Sequence, residues 1–151
     1  MEREQAVRQV HTHCMVCGPT AHNPDSLRLK FIEDTAGDAV TWFNVTPRHQ
    51  GYDGMLHGGM VSTLLDAAMT HRLFLQNVHA LTAELVVRFV SPVLVGWRVK
   101  VSASLMKQKR GVYWLEGIIS YEGKIIAKAD AKFIVPRAGQ HLSSGSTAFH
   151  G

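Results

Sequence analysis

The residues best suited to chemistry are crowded between His49 and His71, in the run HQGYDGMLHGGMVSTLLDAAMTH. His57-Gly58-Gly59 opens an apolar segment, and between Gly59 and His71 the one charged residue is Asp66. Burying a lone carboxylate costs several kcal/mol unless a partner pairs with it or a reaction uses it. Glycines ahead of an apolar run mark a helix start, whose first N–H groups have no intrahelical acceptor and favour negative charge. One element therefore combines an anion-binding end with a lone buried acid further along, the beginnings of an active site.

The elements that must hold these groups can be read from periodicity. A helix is expected from Gly58 or Gly59 to Leu75. Val61, Leu64, Leu65 and Ala68 fall on one stripe, while Met60, Ala67 and Met69 make other sides apolar too. His71-Arg72 and Gln76-Asn77 suit a C-terminal end. Two strands precede it, Leu27–Ile32 and Ala39–Val45, joined by the 33–38 turn and ended by Thr46-Pro47. Four follow: Leu81–Val90, Trp97–Met106, Val112–Tyr121 and Lys124–Val135, with turns at 107–111 and Glu122-Gly123 and at least three strands in meander. The class is α+β: one long central helix, apolar nearly all round, wrapped by a curled antiparallel sheet of five to six strands.

The 151 residues fit one domain over 14–136, with an N-terminal arm (1–13) and a flexible C-terminal tail (137–151). The net charge of +4 is mild, and the basic cluster Lys107–Arg110 lacks the dense stripe of a nucleic-acid binder. It reads as a solvated turn tip or as a contact for the phosphates of a small anionic molecule. No run approaches the roughly 18 apolar residues of a membrane span, and the polar N-terminus does not resemble a secretory signal. A cytoplasmic location, with no membrane or nucleic-acid partner, is expected. Cys14 and Cys17 form a Cys-x-x-Cys with histidines at 11, 13 and 22. One such pair without a second is read as a structural turn rather than a metal or redox site; were metal bound there, Cys14 and Cys17 would be its ligands.

The motif Gly54-x-x-His57-Gly58-Gly59 leading into a helix with Asp66, then Thr82-Ala-Glu-Leu and Ser91-Pro92, resembles the hot-dog-fold acyl-CoA thioesterases of the PaaI-like superfamily. CMVCGPTAHNPDSLRLKF is similar to the Cys-x-x-Cys-Gly opening of many members, and the resemblance covers residues 14–135. It implies a hot-dog fold and hydrolysis of an acyl-CoA thioester to a carboxylic acid and CoA. It implies an oxyanion-holding N–H at Gly58, a nucleophilic or general-base carboxylate at Asp66 and a water-placing hydroxyl at Thr82. Many members carry Asn or Gln seven residues before the oxyanion glycine; here that position is Gly51, with Gln50 beside it. His57 and Gly59 flank the oxyanion glycine and are expected around the substrate. Arg88, with Lys107, Lys109 and Arg110, is a charge-based candidate for the nucleotide phosphates. No metal or other cofactor is required.

Spacing adds a constraint of its own. Gly58 and Asp66 are eight residues apart, or about 12 Å along one helix, whereas each must lie about 3 Å from the reacting atoms. One helix cannot serve both, but two antiparallel helices can, so the expected unit is a homodimer with two equivalent sites. Dimers pair further into tetramers in many members of the family. The rival readings are a hot-dog hydratase or dehydratase, which would want a histidine such as His57 beside an acid, and a non-catalytic acyl-CoA-binding module.

Overall fold

The computed structural model describes residues 10–136. The expected C-terminal tail and most of the expected arm lie outside those residues. Six strands form one antiparallel sheet: β1 (Ile32–Glu33), β2 (Ala39–Asn44), β3 (Leu81–Phe89), β4 (Arg98–Lys109), β5 (Val112–Tyr121) and β6 (Lys124–Ile134). The long helix, α1, spans Gly58–Phe74 between β2 and β3. Strand order is β1-β2-β4-β5-β6-β3, so β4 to β6 make the meander while β3 crosses to the far edge beside β6. The sheet curls round the helix without closing. No helix among the described residues is long and apolar enough to cross a membrane.

Small side chains explain how closely the sheet approaches the helix. Ala39 pairs with Ala103, Ala103 with Gly117, and Gly117 with Ala129, giving a row of minimal side chains across four adjacent strands. The three alanines are at most 1% exposed. A Cβ on Gly117 would lie 3.1 Å from Leu65 Cδ2, so α1 rests almost on the backbone there. Larger residues flank the row, Val101 and Ile119 on one side and Leu115 on the other, all buried against the helix. The residues of α1 buried here, from Val61 to Phe74, include Ala67, Met69 and His71 as well as the Val61–Leu64–Leu65–Ala68 stripe, as an all-round apolar pattern requires.

Three local features depart from expectation. Leu27–Ile32 keeps the alternation of a strand, but only Ile32 joins the ladder. Arg28 is left-handed (φ 54), and the N–H groups of Leu27 and Leu29 donate to Met15 and Val16 carbonyls at 2.9 Å, so this segment pairs with the cysteine turn instead. Only Arg110 of the basic cluster sits in the turn: β4 runs through Lys109, Lys107 packs its ammonium over Trp114, and the turn is Arg110-Gly111, both at positive φ. Finally, β3 carries a bulge between Thr82 and Glu84. Strict alternation would put Thr82 and Leu85 on opposite faces; the extra residue lets both face the helix side.

The small-residue row yields a stability prediction. Gly117→Val favours strand propensity yet forces branched atoms into Leu65, and should cost about 1–3 kcal/mol in urea unfolding. An unchanged denaturation midpoint would mean the helix does not need this close approach.

Candidate active site

His57 shapes the helix start. It is the N-cap residue, and its Nδ1 accepts from the Gly59 N–H at 2.8 Å. Its carbonyl takes the Met60 and Val61 N–H groups at 2.9 and 3.2 Å. The Gly58 N–H is thereby left without an acceptor among the described residues, singled out from its neighbours by the cap itself. Gly58 lines a cavity of about 600 Å³ bordered also by Gly51, His57, Val61, Phe89 and Pro92. Nothing crowds it: a Cβ at Gly58 would meet only the Phe89 ring, at 3.7 Å. Phe89 was expected as part of the strand Leu81–Val90 but not at the site, although an apolar residue just before Val90-Ser91-Pro92 was its available signal.

Asp66 sits about two turns further along α1, on the wall of a second cavity of about 450 Å³ that also holds Thr82, Thr70, His11, Cys14 and Cys17. Thr82 Oγ1 donates to Asp66 Oδ1 at 2.5 Å, made possible by the bulge that turns Thr82 inward. Oδ2 has no hydrogen-bond donor among the described residues. Burial raises the Asp66 pKa; the Thr82 hydrogen bond and the charge of His11 oppose that rise, while Cys14 adds to it. The helix hydroxyls have other partners: Ser62, Thr63 and Thr70 donate to the carbonyls four residues back.

The remaining candidates are placed as follows. Gly51 lines the Gly58 cavity, and a Cβ there would lie 3.2 Å from His57 Cδ2. Gln50 is exposed, its Oε1 accepting from the Gly54 N–H at 3.0 Å, so it closes the loop and lines neither cavity. Arg88 also lines neither: it pairs with Asp130 at 2.7 Å on the face of β3 opposite Leu85 and Val87, both side chains more than half exposed. The Gly58 and Asp66 cavities share no residue. In the cysteine turn, the Cys14–Cys17 hydrogen bond acts in opposite directions on the two sulfurs: it holds Cys14 well below the usual thiol range against the effect of burial, and together with burial it holds Cys17 above that range.

One helix held in a curled, unclosed antiparallel sheet, with a bare helix N-terminus and a half-buried acid on that helix, defines a hot-dog fold. The sequence comparisons agree with the geometry. The Thioesterase superfamily model matches residues 53–113. The uncharacterized protein C26H8.11c of Schizosaccharomyces pombe is 27% identical over 113 residues, which is 70% of this chain and 65% of that one; the chain thus spans slightly less than two thirds of that relative. Among solved structures, the PaaI protein of the Escherichia coli phenylacetic acid degradation operon aligns with a TM-score of 0.72 at 19% identity, over 88% of this chain and 95% of its own. The smu.793 protein of Streptococcus mutans, solved bound to acetyl-CoA, aligns with a TM-score of 0.67 at 16% identity, over 72% of this chain and 88% of its own. The chain thus has the hot-dog fold, and its segment 53–113 is similar to the Thioesterase superfamily.

The half-buried acid carries a stability signature. An acid whose pKa is higher folded than unfolded binds more protons in the native state between the two values, so stability falls as pH rises through that window. The ionised form therefore weakens the fold at neutral pH. Asp66→Asn, which can still accept from Thr82, should raise the thermal midpoint by about 2–4 °C at pH 7. The gain should shrink as pH drops below about 4, where the free carboxyl is protonated in both states. A lower midpoint at pH 7 would show the carboxylate to be stabilising instead.

Proposed function

We propose that the chain is an acyl-CoA thioesterase whose active site is assembled between two protomers. The observation that carries this reading is Asp66: a half-buried carboxylate with one oxygen held by Thr82 and the other unengaged, on the same helix as the acceptor-less Gly58 N–H. The superfamily match supports thioester hydrolysis, and acetyl-CoA in the Streptococcus mutans relative supports the substrate class.

In this reading the thioester oxygen accepts from the Gly58 N–H of one protomer, in line with the helix axis. Asp66 of the partner either attacks the carbonyl carbon or takes a proton from the water that does. The carbon–sulfur bond breaks, the sulfur leaves as the CoA thiol, and the products are a carboxylate and CoA. Thr82 holds Asp66 ionised and in place. Gly51 and His57 back the carbonyl, and the His57 cap fixes Gly59.

The dimer is argued from distance and from an open edge. About 12 Å of helix separates Gly58 from Asp66, and their cavities are separate within one chain. Among the described residues β3 is a sheet edge paired only with β6, and it exposes Val86, Phe89 and the adjoining Val90. An edge of this length presents unpaired backbone groups to another strand. Two β3 edges meeting antiparallel would lay two α1 helices side by side in opposite directions, bringing each Gly58 towards the other chain's Asp66.

Two variants test chemistry and assembly together. Asp66→Asn should lower thiol release from a saturated acyl-CoA by roughly 10²–10⁴-fold. Gly58→Pro removes the N–H while suiting the first helical position, and His57 already has the extended ψ of 134° that a following proline demands; it should cost roughly 10²–10³-fold. Co-refolded in equal amounts, the two inactive chains should recover about a quarter of wild-type activity, since half the dimers are mixed and each has one intact site. No recovery would rule out the shared site; undiminished release by Asp66→Asn would rule out the hydrolytic role. A panel of aryl, short and long acyl-CoAs, with an enoyl-CoA hydration control, then defines the acyl group.

The acid limb of the rate profile gives a further test. Thr82→Val removes the hydrogen bond that favours the ionised carboxylate, so the fall in kcat/KM towards acid should begin at a higher pH than in wild type. A limb that does not move would separate Thr82 from the ionisation of Asp66.

A further inference from the structure

The turn that leads into the domain carries a cluster the hydrolytic reading does not use. The ligand atoms of His11, Cys14 and Cys17 all lie within 4.8 Å of one another, and His11 Nδ1 is 3.3 Å from Cys17 Sγ. A tetrahedral zinc with bonds of about 2.3 Å to sulfur and 2.0–2.1 Å to nitrogen needs ligand separations of roughly 3.5–3.8 Å. The three atoms are therefore close to the spacing of one face of such a site. Sequence alone left three histidines beside the thiols; the fold selects one. His13 and His22 pair with each other at 5.3 Å on the exposed side, while His11 is held edge-on to Phe74 at 5.0 Å, over the thiols.

The backbone is built to converge these groups. Cys14 N–H donates to His11 O at 3.0 Å, Gly18 N–H to Cys14 O at 2.9 Å, and Val16 N–H to Cys14 Sγ at 3.4 Å. A Cβ on Gly18 would stand 2.7 Å from both the Thr12 and Cys14 carbonyl oxygens, so the turn closes only around glycine. A reverse turn by itself requires neither two thiols on one side nor an imidazole beside them. Two sulfurs and one imidazole suit zinc rather than magnesium or calcium, which take oxygen ligands.

We propose that His11, Cys14 and Cys17 bind one Zn²⁺, with the fourth coordination position open to the cavity that holds Asp66. All three ligands line that cavity together with Asp66 and Thr82. The ion would replace the thiol protons, neutralise two thiolates, and clamp the turn that pairs with Leu27 and Leu29 as a wall of the site. This site is independent of the thioesterase assignment.

The test uses the full chain, reduced with a phosphine and free of any metal-binding tag. One equivalent of Co²⁺ should produce a thiolate-to-metal charge-transfer band and tetrahedral d–d bands, which Zn²⁺ then displaces. Competition against a chromophoric chelator should show a single zinc site that Cys14→Ser and Cys17→Ser each weaken at least tenfold, and His11→Ala likewise. The wild-type spectrum decides the matter even where a variant fails to fold. Absence of the charge-transfer band in protein with two titratable free thiols would overturn the site, as would zinc affinity unchanged in both cysteine variants. Because metal uptake is read without substrate, its failure and a failure of thioester hydrolysis are separately visible.

Discussion

A helix with apolar side chains on nearly every side is stable only inside a sheet that bends round it, and the rest of this structure follows from that requirement. The sheet meets α1 along the row Ala39, Ala103, Gly117 and Ala129, where the side chains shrink to one carbon or none. That close contact buries most of Val61 to Phe74 and leaves Asp66 half-buried, its carboxyl partly desolvated. A carboxylate in such a place must be held, and the hydrogen bond from Thr82 does so across the helix–sheet interface. The bond in turn depends on the β3 bulge, which lets Thr82 and the core-facing Leu85 share a face.

At the other end of the helix, the same economy of groups applies. Three N–H groups at a helix start ordinarily seek partners. The His57 ring and carbonyl take those of Gly59 and Met60, and the Gly58 N–H is the remainder. An imidazole nitrogen that accepts from a backbone N–H is unprotonated, so His57 acts here as a cap rather than as a proton donor through that atom.

The Asp66 cavity has a wall that comes from outside the helix and sheet. The cysteine turn approaches through Met15 and Val16, whose carbonyls receive the Leu27 and Leu29 N–H groups. These bonds account for the short β1: the segment that alternates like a strand spends its backbone groups on the turn. The convergence of His11, Cys14 and Cys17 at this wall is a property of that packing.

By itself the sequence determined the elements and the principal chemical groups. The helix bounds, the strands from β2 to β6 and the pairing of a glycine helix start with a lone acid all follow from local rules: period, turn residues and the cost of burying charge. The eight-residue spacing from Gly58 to Asp66 even carried a distance, because helical rise is constant. What only the tertiary structure decided is non-local. Periodicity does not say that β3 crosses to the edge beside β6, that a bulge turns Thr82 onto Asp66, or that Leu27 and Leu29 pair with the cysteine turn. Nor could it choose His11 over His13 and His22, or tie Gln50 to Gly54 and Arg88 to Asp130. Each of these depends on which distant backbone or side chain arrives alongside, and that is settled by packing the whole sheet around one helix.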